Sequence, residues 1–406
     1  MKNNKFTVII PTRERANTLK HTIKTVLDQD YDNFEVLICD NFSKDDTELV
    51  VAAFNDKRIK YINTGERLSM SHNWEFALSH VSNGYVSMVG DDDGLLPNCF
   101  NIVNDIIIKY NVEAVISTDV FYSWKDRNEF LSNTLLVPTN INFGIKNCKE
   151  ELIKVLAFEQ TYYKLPSLYK GFISLNAIKR VKGKSKNFFH SLNPDLYSTI
   201  VLGSTMDKFY VSEIPFAING ASAHSGGSSY FDSKEGDNIP AQKFLSENNI
   251  PFDSSLVILP SIPVMLFECY LQAKKHNLLP PEVSCKLSYA LAETLRTTTQ
   301  APPLLYKKIL QGVKDNAKLN ELNEFTDNLE EKYPNQPKSR FAILLSNINN
   351  HYNYILCPNN SQDVYDAFNH YKGNSKQFLS NSNIRKVKNF YSVIRLAFRY
   401  LHTHSR

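Results

Sequence analysis

A chain of 406 residues is long enough for two domains with full cores, and a hydrophobic fraction of 42% is ordinary for a globular protein. The formal net charge of +4 creates no global field to gather nucleic acid, which argues against a nucleic-acid partner. Six cysteines (Cys39, Cys99, Cys148, Cys269, Cys285 and Cys357) lie far apart without a C-x-x-C pair, which argues against a zinc site or disulfide framework and fits a reducing cytosol.

Residues 1–5 run straight into the first strand and leave no room for a signal peptide, so a cytoplasmic location is expected. The most apolar stretch, residues 256–267, is interrupted by Pro260 and Pro263 and falls short of the roughly 20 residues a membrane helix needs. From residue 6 to 119 short β-rich runs alternate with helical patterns. Strands are expected at 6–10, 34–38, 58–62, 85–89 and 113–118. Leu19, Ile23, Val26 and Leu27 mark the first intervening helix, Val50, Val51 and Phe54 the second, Trp74, Leu78 and Val81 the third, and Ile102, Val103, Ile106 and Ile107 the fourth. This βαβαβαβαβ order predicts an α/β fold with a mostly parallel sheet covered on both faces.

In such sheets ligands bind beyond the carboxyl ends of the strands. Pro11-Thr12-Arg13 follow the first strand, Asp40-Asn41 the second and Asp91-Asp92-Asp93 the fourth, so all three groups are expected on one edge. One Asp at a strand end is commonly a turn former or helix cap. Three adjacent carboxylates repel one another and call for a cation, and Mg²⁺ or Mn²⁺ suits oxygen ligands shared with a phosphate. No G-x-x-x-x-G-K-[ST] loop and no G-x-G-x-x-G after the first strand is present, so glycine amides are not expected to cradle phosphates. The triplet also lacks the alternate spacing of an EF-hand loop.

Four separated stretches in order, Val8–Leu19 (VIIPTRERANTL), Phe34–Thr47 (FEVLICDNFSKDDT), Ser71–Leu78 (SHNWEFAL) and Gly90–Pro97 (GDDDGLLP), resemble the nucleotide-sugar domain of family 2 glycosyltransferases. The resemblance is close over about the first hundred residues and looser to Ser229. It implies a GT-A (Rossmann-like) fold, with Pro11, Thr12 and Arg13 on the nucleotide and Asp40 accepting a hydrogen bond from the base. A carboxylate there favours uracil, thymine or guanine, which offer a ring N–H, over cytosine. Asn73 matches a polar position near the nucleotide, and capping its own helix is the plainer role. Where the family's D-x-D motif begins with an acid, this chain has Gly90. Asp91 then inherits the ribose or a water-mediated metal contact, Asp92 the direct metal bond and Asp93 a supporting one.

Transfer also needs a base for the acceptor hydroxyl. Relatives with a Pro-Asp before a helix in the second half of the domain use the Asp, which implies Asp195 in Asn193-Pro194-Asp195; proline then acid is also an ordinary helix start. Residues 217–229, rich in glycine and small residues, read as a loop rather than a packed element. It could close over the phosphates, with His224, Ser228 or Ser229 reaching the metal or diphosphate. Residues 164–175 are expected to form a strand beneath the acceptor, where Tyr169 packs or touches the acceptor.

Residues 1–249 are therefore expected to form the catalytic domain and residues 250–406 a mainly helical accessory domain. Helices are expected at 263–275, 284–296, 304–314 and 319–332, punctuated by Pro280-Pro281, Pro302-Pro303, Pro334 and Pro337. Residues 385–406 carry Lys and Arg without an acid along an apolar face of Val387, Phe390, Tyr391, Ile394, Phe398 and Leu401. Such a helix suits either peripheral association with an anionic membrane or packing on the protein itself. The expected activity is inverting, metal-dependent transfer of a sugar from a nucleoside diphosphate, UDP foremost, to a glycan or glycolipid. The rival readings are nucleotidyl transfer and a non-catalytic nucleotide-sugar-binding subunit.

Overall fold

The computed structural model describes residues 3–126, 132–138, 141–222, 249–337, 354–358 and 361–379. Four strands, β1 (Phe6–Thr12), β2 (Phe34–Asp40), β3 (Ile59–Asn63) and β4 (Tyr85–Met88), stand parallel in the order β3-β2-β1-β4. Val8 lies opposite Val36 on one side and Ser87 on the other. The near-continuous burial of β1 is what a parallel strand covered on both faces requires. Helices α1 (Ala16–Leu27), α2 (Thr47–Ala52) and α3 (Met70–Ser79) make the crossovers, so the first half of the expected βα alternation is present.

Beyond β4 the order departs from a simple continuation. The chain runs through β5 (Gly94–Leu95) and α4 (Cys99–Tyr110) into β6 (Ala114–Ser117), which does not join β4 directly. Strand β10 (Phe172–Ser174) inserts between them, antiparallel to both. Only these last residues of the strand expected over 164–175 are extended in a sheet. Residues Tyr162–Lys164 form a 3-10 turn, and the loop between carries Lys170 at φ 62°. The sheet is completed by β11 (Lys208–Ser212), parallel to β6, and by β9 (Gly144–Asn147) on its edge. It has eight strands and is mostly parallel, with helices on both faces.

A second sheet has the order β13-β8-β7-β12-β5, from β7 (Val120–Ser123), β8 (Thr134–Pro138), β12 (Ala217–Ala221) and β13 (Tyr354–Pro358). Strand β12 corrects the expectation of a loop starting at residue 217. Ala217, Ile218 and Gly220 are buried there, paired with β5 and β7. Its small residues answer a packing demand: a Cβ on Gly220 would lie 1.7 Å from the Asp92 carbonyl oxygen and 2.9 Å from Trp124 Nε1. His224, Ser228 and Ser229 lie outside the described residues, as does the basic stretch 385–406.

Helices α5 (Cys148–Leu156), α6 (Leu175–Ser185) and α7 (Pro194–Thr205) cover one face of the larger sheet. Asn147 and Ser174 cap α5 and α6 through their side chains, and Pro194 opens α7 at the position where a missing N–H costs nothing. After residue 249 the chain is helical: α8 (Ile262–Lys275), α9 (Leu287–Thr298) and α10 (Pro303–Leu319). The helix expected at 319–332 is instead a 3-10 turn, Asn323–Thr326, and the short α11 (Leu329–Lys332), because Glu321 and Asn328 adopt left-handed backbone. Helices α7 to α10 share one core with the sheet. The chain then returns, with β13 pairing with β8 and α12 (Val364–Leu379) burying Val364, Ala367 and Phe368 against Leu96, Tyr122 and Trp124. No helix among the described residues is long and apolar enough to cross a membrane.

Glu268 on α8 is fully buried against the segment that leads into α7, accepting from Ser191 Oγ at 2.5 Å and Gln272 Nε2 at 2.8 Å. Burial pushes its carboxyl up to about 7 against these two donors. A raised carboxyl contributes stability that is complete below its unfolded value and is lost as pH rises through about 7. Glu268→Gln is expected to remove that loss, making the variant about 2–3 kcal/mol more stable than wild type at pH 8.5 and no more stable at pH 4.5. Urea unfolding at both pH values checks this.

Candidate active site

The carboxyl ends of β1, β4 and β6 open onto a cavity of about 1040 Å³. Pro11, Thr12, Arg13, Asn73, Asp91, Asp92 and Asp195, seven of the residues expected from the sequence, line it. Asp93 is buried beneath the same wall, and Asp40 is 1% exposed and off the wall.

The three acids after β4 have different surroundings. Asp91 accepts from Thr12 Oγ1 at 2.8 Å, from Arg15 Nη1 at 3.1 Å and from the backbone N–H of Arg13. Asp92 lies 3.3 Å from the same guanidinium nitrogen and also accepts from Ser222 Oγ. Asp93 is absorbed by the fold: its oxygens take Tyr169 OH at 2.5 Å and the N–H groups of Gly220 and Gly90 at 2.7 and 3.1 Å. Burial raises Asp91, with the Arg15 charge opposing it. Burial, then repulsion from Asp93 and Asp91, pushes Asp92 up to about 7. For Arg15, burial opposes the charge, and Asp91 and Asp92 more than restore it. The cation that the triplet demanded is thus supplied by the loop after β1.

Among the described residues no group of three or more His, Cys, Asp or Glu is arranged to hold a metal ion. Asp91 and Asp92 nevertheless converge on one cationic nitrogen. Two such carboxylates would fit a hard divalent cation such as Mg²⁺ or Mn²⁺, which takes oxygen ligands. Asp93, with three donors on its two oxygens, does not fit as a ligand.

Asp40 accepts from Tyr61 OH at 2.6 Å, Asn63 Nδ2 at 3.1 Å and the Ser43 N–H at 2.9 Å. Its neighbour Asn41 lines the cavity instead and is fixed by two hydrogen bonds to the backbone of Leu68. Asn73 accepts from Cys39 Sγ at 3.1 Å. Asp195 is the second residue of α7, where its carboxylate accepts the N–H groups of Asp195 and Leu196. Burial raises it against those bonds.

Arg15, Asp119, Lys170, Asn219 and Ser222 also belong to the site and are not among the residues expected from the sequence. Lys170 is 6% exposed, pairs with Asp119 at 3.0 Å, donates to Asn219 Oδ1 and lies 3.9 Å from Asp93 Oδ2. Arg15 sits inside the first motif and could have been found there; the others are brought together only by the fold.

Residues 7–172 match the family described as Glycosyl transferase family 2. An Escherichia coli protein described as UDP-Glc:alpha-D-GlcNAc-diphosphoundecaprenol beta-1,3-glucosyltransferase WfgD is 26% identical over 143 residues, 35% of this chain and 55% of that protein. A Campylobacter jejuni protein described as GalNAc(5)-diNAcBac-PP-undecaprenol beta-1,3-glucosyltransferase is 36% identical over 95 residues, 23% of this chain and 31% of that one. The chain thus spans about half or less of the length of these relatives. The crystal structure of S. aureus TarS aligns over 81% of this chain and 55% of its own, at 15% identity and a TM-score of 0.46.

Proposed function

We propose that the protein transfers a hexosyl group, with inversion, from a nucleoside diphosphate sugar to a hydroxyl of a glycan or lipid-linked acceptor. The observation that carries this reading is the presence of Asp91, Asp92 and Asp195 in one cavity large enough for a nucleotide sugar. UDP is the favoured nucleotide and a diphosphate-lipid-linked glycan the favoured acceptor, because the printed name of one relative pairs UDP-Glc with a diphosphoundecaprenol acceptor. The location that goes with this reading is the cytoplasm, on the inner face of a membrane that carries the acceptor.

The residues divide the work as follows. Pro11, Thr12, Arg13, Asn41 and Asn73 receive the nucleoside. Asp91 and Asp92 would hold a divalent cation, which supplies charge stabilisation for the departing diphosphate. Arg15, freed from the two acids, neutralises the phosphate oxygens. Asp195 takes the proton of the acceptor hydroxyl as that oxygen attacks the anomeric carbon from the face opposite the diphosphate. Burial keeps Asp195 a stronger base than an exposed aspartate, and the helix N–H groups hold its lone pairs in place.

The test is a screen of UDP-, GDP- and dTDP-sugars with a diphosphoundecaprenol-linked glycan, following release of the nucleoside diphosphate with Mn²⁺, Mg²⁺ or a chelator. A UDP-sugar should turn over with metal and stop on chelation. Failure of every donor with every acceptor, with folded protein, would count against the enzyme reading.

A further inference from the structure

In the reaction proposed above, on which this inference rests, the transferred sugar lies between the diphosphate at Asp91 and Asp92 and the base at Asp195. One polar group of the cavity wall occupies that interval without a part in the steps already described. Lys170 Nζ is 3.9 Å from Asp93 Oδ2 at one end, and its charge lowers Asp195 at the other. Its ammonium also lies 4.4 Å from the centre of the Tyr169 ring, and the Tyr169 hydroxyl is bound to Asp93. The backbone of Lys170 is left-handed, a conformation that a side-chain-bearing residue keeps only where its surroundings dictate it, and its N–H is tied to the Met88 carbonyl at 2.7 Å.

The pair is asymmetric. Lys170 has 6% of its side chain exposed and Asp119 has 20%, so Asp119 is the partner the cavity can reach. Lys170 spends donors on Asp119 and Asn219, while a carboxylate offers about four acceptor positions, of which the ammonium takes one. Burial raises the Asp119 carboxyl, and the Lys170 ammonium paired with it at 3.0 Å opposes that shift.

We propose that Asp119 determines which sugar is transferred, its carboxylate accepting hydrogen bonds from adjacent hydroxyls of a neutral hexose or N-acetylhexosamine, with Lys170 and Asn219 as the residues that position it. A hydroxyl pair donates to such a carboxylate, whereas the carboxylate of a uronic acid is repelled by it. The site therefore selects neutral over acidic donors by unpaired charge as well as by contact.

Asp119→Asn, which keeps the shape, tests this with UDP, UDP-glucose, UDP-galactose, UDP-glucuronic acid and deoxy analogues of the best donor. Affinity for UDP alone should stay within about twofold, while kcat/KM for the best donor should fall about 30-fold, as for lost charge-assisted hydrogen bonds. The preference for UDP-glucose over UDP-glucuronic acid should narrow by about tenfold, and at least one deoxy analogue should lose its disadvantage. Lys170→Met, with its melting temperature measured alongside, should show the same sugar-only loss. A parallel fall in UDP and UDP-sugar affinity would overturn the inference by making the pair structural, and so would unchanged selectivity among donors. If wild-type protein bound UDP but no UDP-sugar, this inference would fall and the nucleotide site would stand. If it bound neither, the UDP assignment would fall with it, and the glycosyltransferase reading would fall only if GDP- and dTDP-sugars failed as well.

Discussion

Replacing Asp195 with asparagine is expected to lower kcat by about 10³-fold while leaving the affinity for UDP within about twofold of wild type. In the proposed reaction the carboxylate is the proton acceptor for the attacking hydroxyl, and the amide oxygen that replaces it keeps the hydrogen bonds from the start of α7 but has almost no basicity. Pro194 and the buried Leu196 hold that helix start whichever residue stands between them, so the loss should appear in turnover rather than in folding. Because burial raises Asp195 above the ordinary carboxylate range, the acid limb of the wild-type rate profile should lie above that range. It should vanish from the residual activity of the variant. Single-turnover rates across pH, with calorimetric titration of UDP, measure both effects.

Replacing Asp92 with asparagine is expected to act in the opposite sense on two properties. Metal-dependent affinity for UDP should fall about 100-fold, since one of only two converging carboxylates is lost. Stability should not fall with it. Asp92 is pushed up to about 7 by burial and by its two acidic neighbours, so it contributes stability at acid pH that is lost as pH rises through about 7. An uncharged amide escapes that loss, and the ligand-free variant should melt at a higher temperature than wild type at pH 8 but not at pH 4.5. A variant that loses both affinity and stability would mark Asp92 as a structural acid like Asp93.

The contrast between these neighbouring acids shows where the sequence could be read and where it could not. The strands ending at Thr12, Asp40 and Met88 were legible because each is a compact apolar run followed by a helical stripe, a local pattern. That Thr12 and the acid triplet share an edge followed from the parallel order alone. The insertion of Phe172–Ser174 between β4 and β6 was not legible, because no local period states which strand will be its neighbour. The strand from Ala217 is not legible for a related reason: its small residues are required by the approach of Gly220 to the Asp92 backbone, a contact across more than a hundred residues. Arg15 lay in plain view two residues past Arg13. Asp119, Lys170 and Asn219 carry no motif, and their chemistry exists only once β6, β10 and β12 have met. Asp40, legible as an acid after β2, is held by Tyr61, Asn63 and Ser43, and the cavity wall passes to Asn41.

In the proposed reaction one cavity joins a diphosphate site at Asp91 and Asp92 to a base at Asp195 for displacement in a single step. It is tested most directly by the anomeric configuration of the product formed from an α-linked UDP-sugar, read from the proton coupling at the new linkage by NMR. A β linkage is expected from the first turnover. An α linkage would contradict it, because retention cannot arise from a single displacement assisted by Asp195.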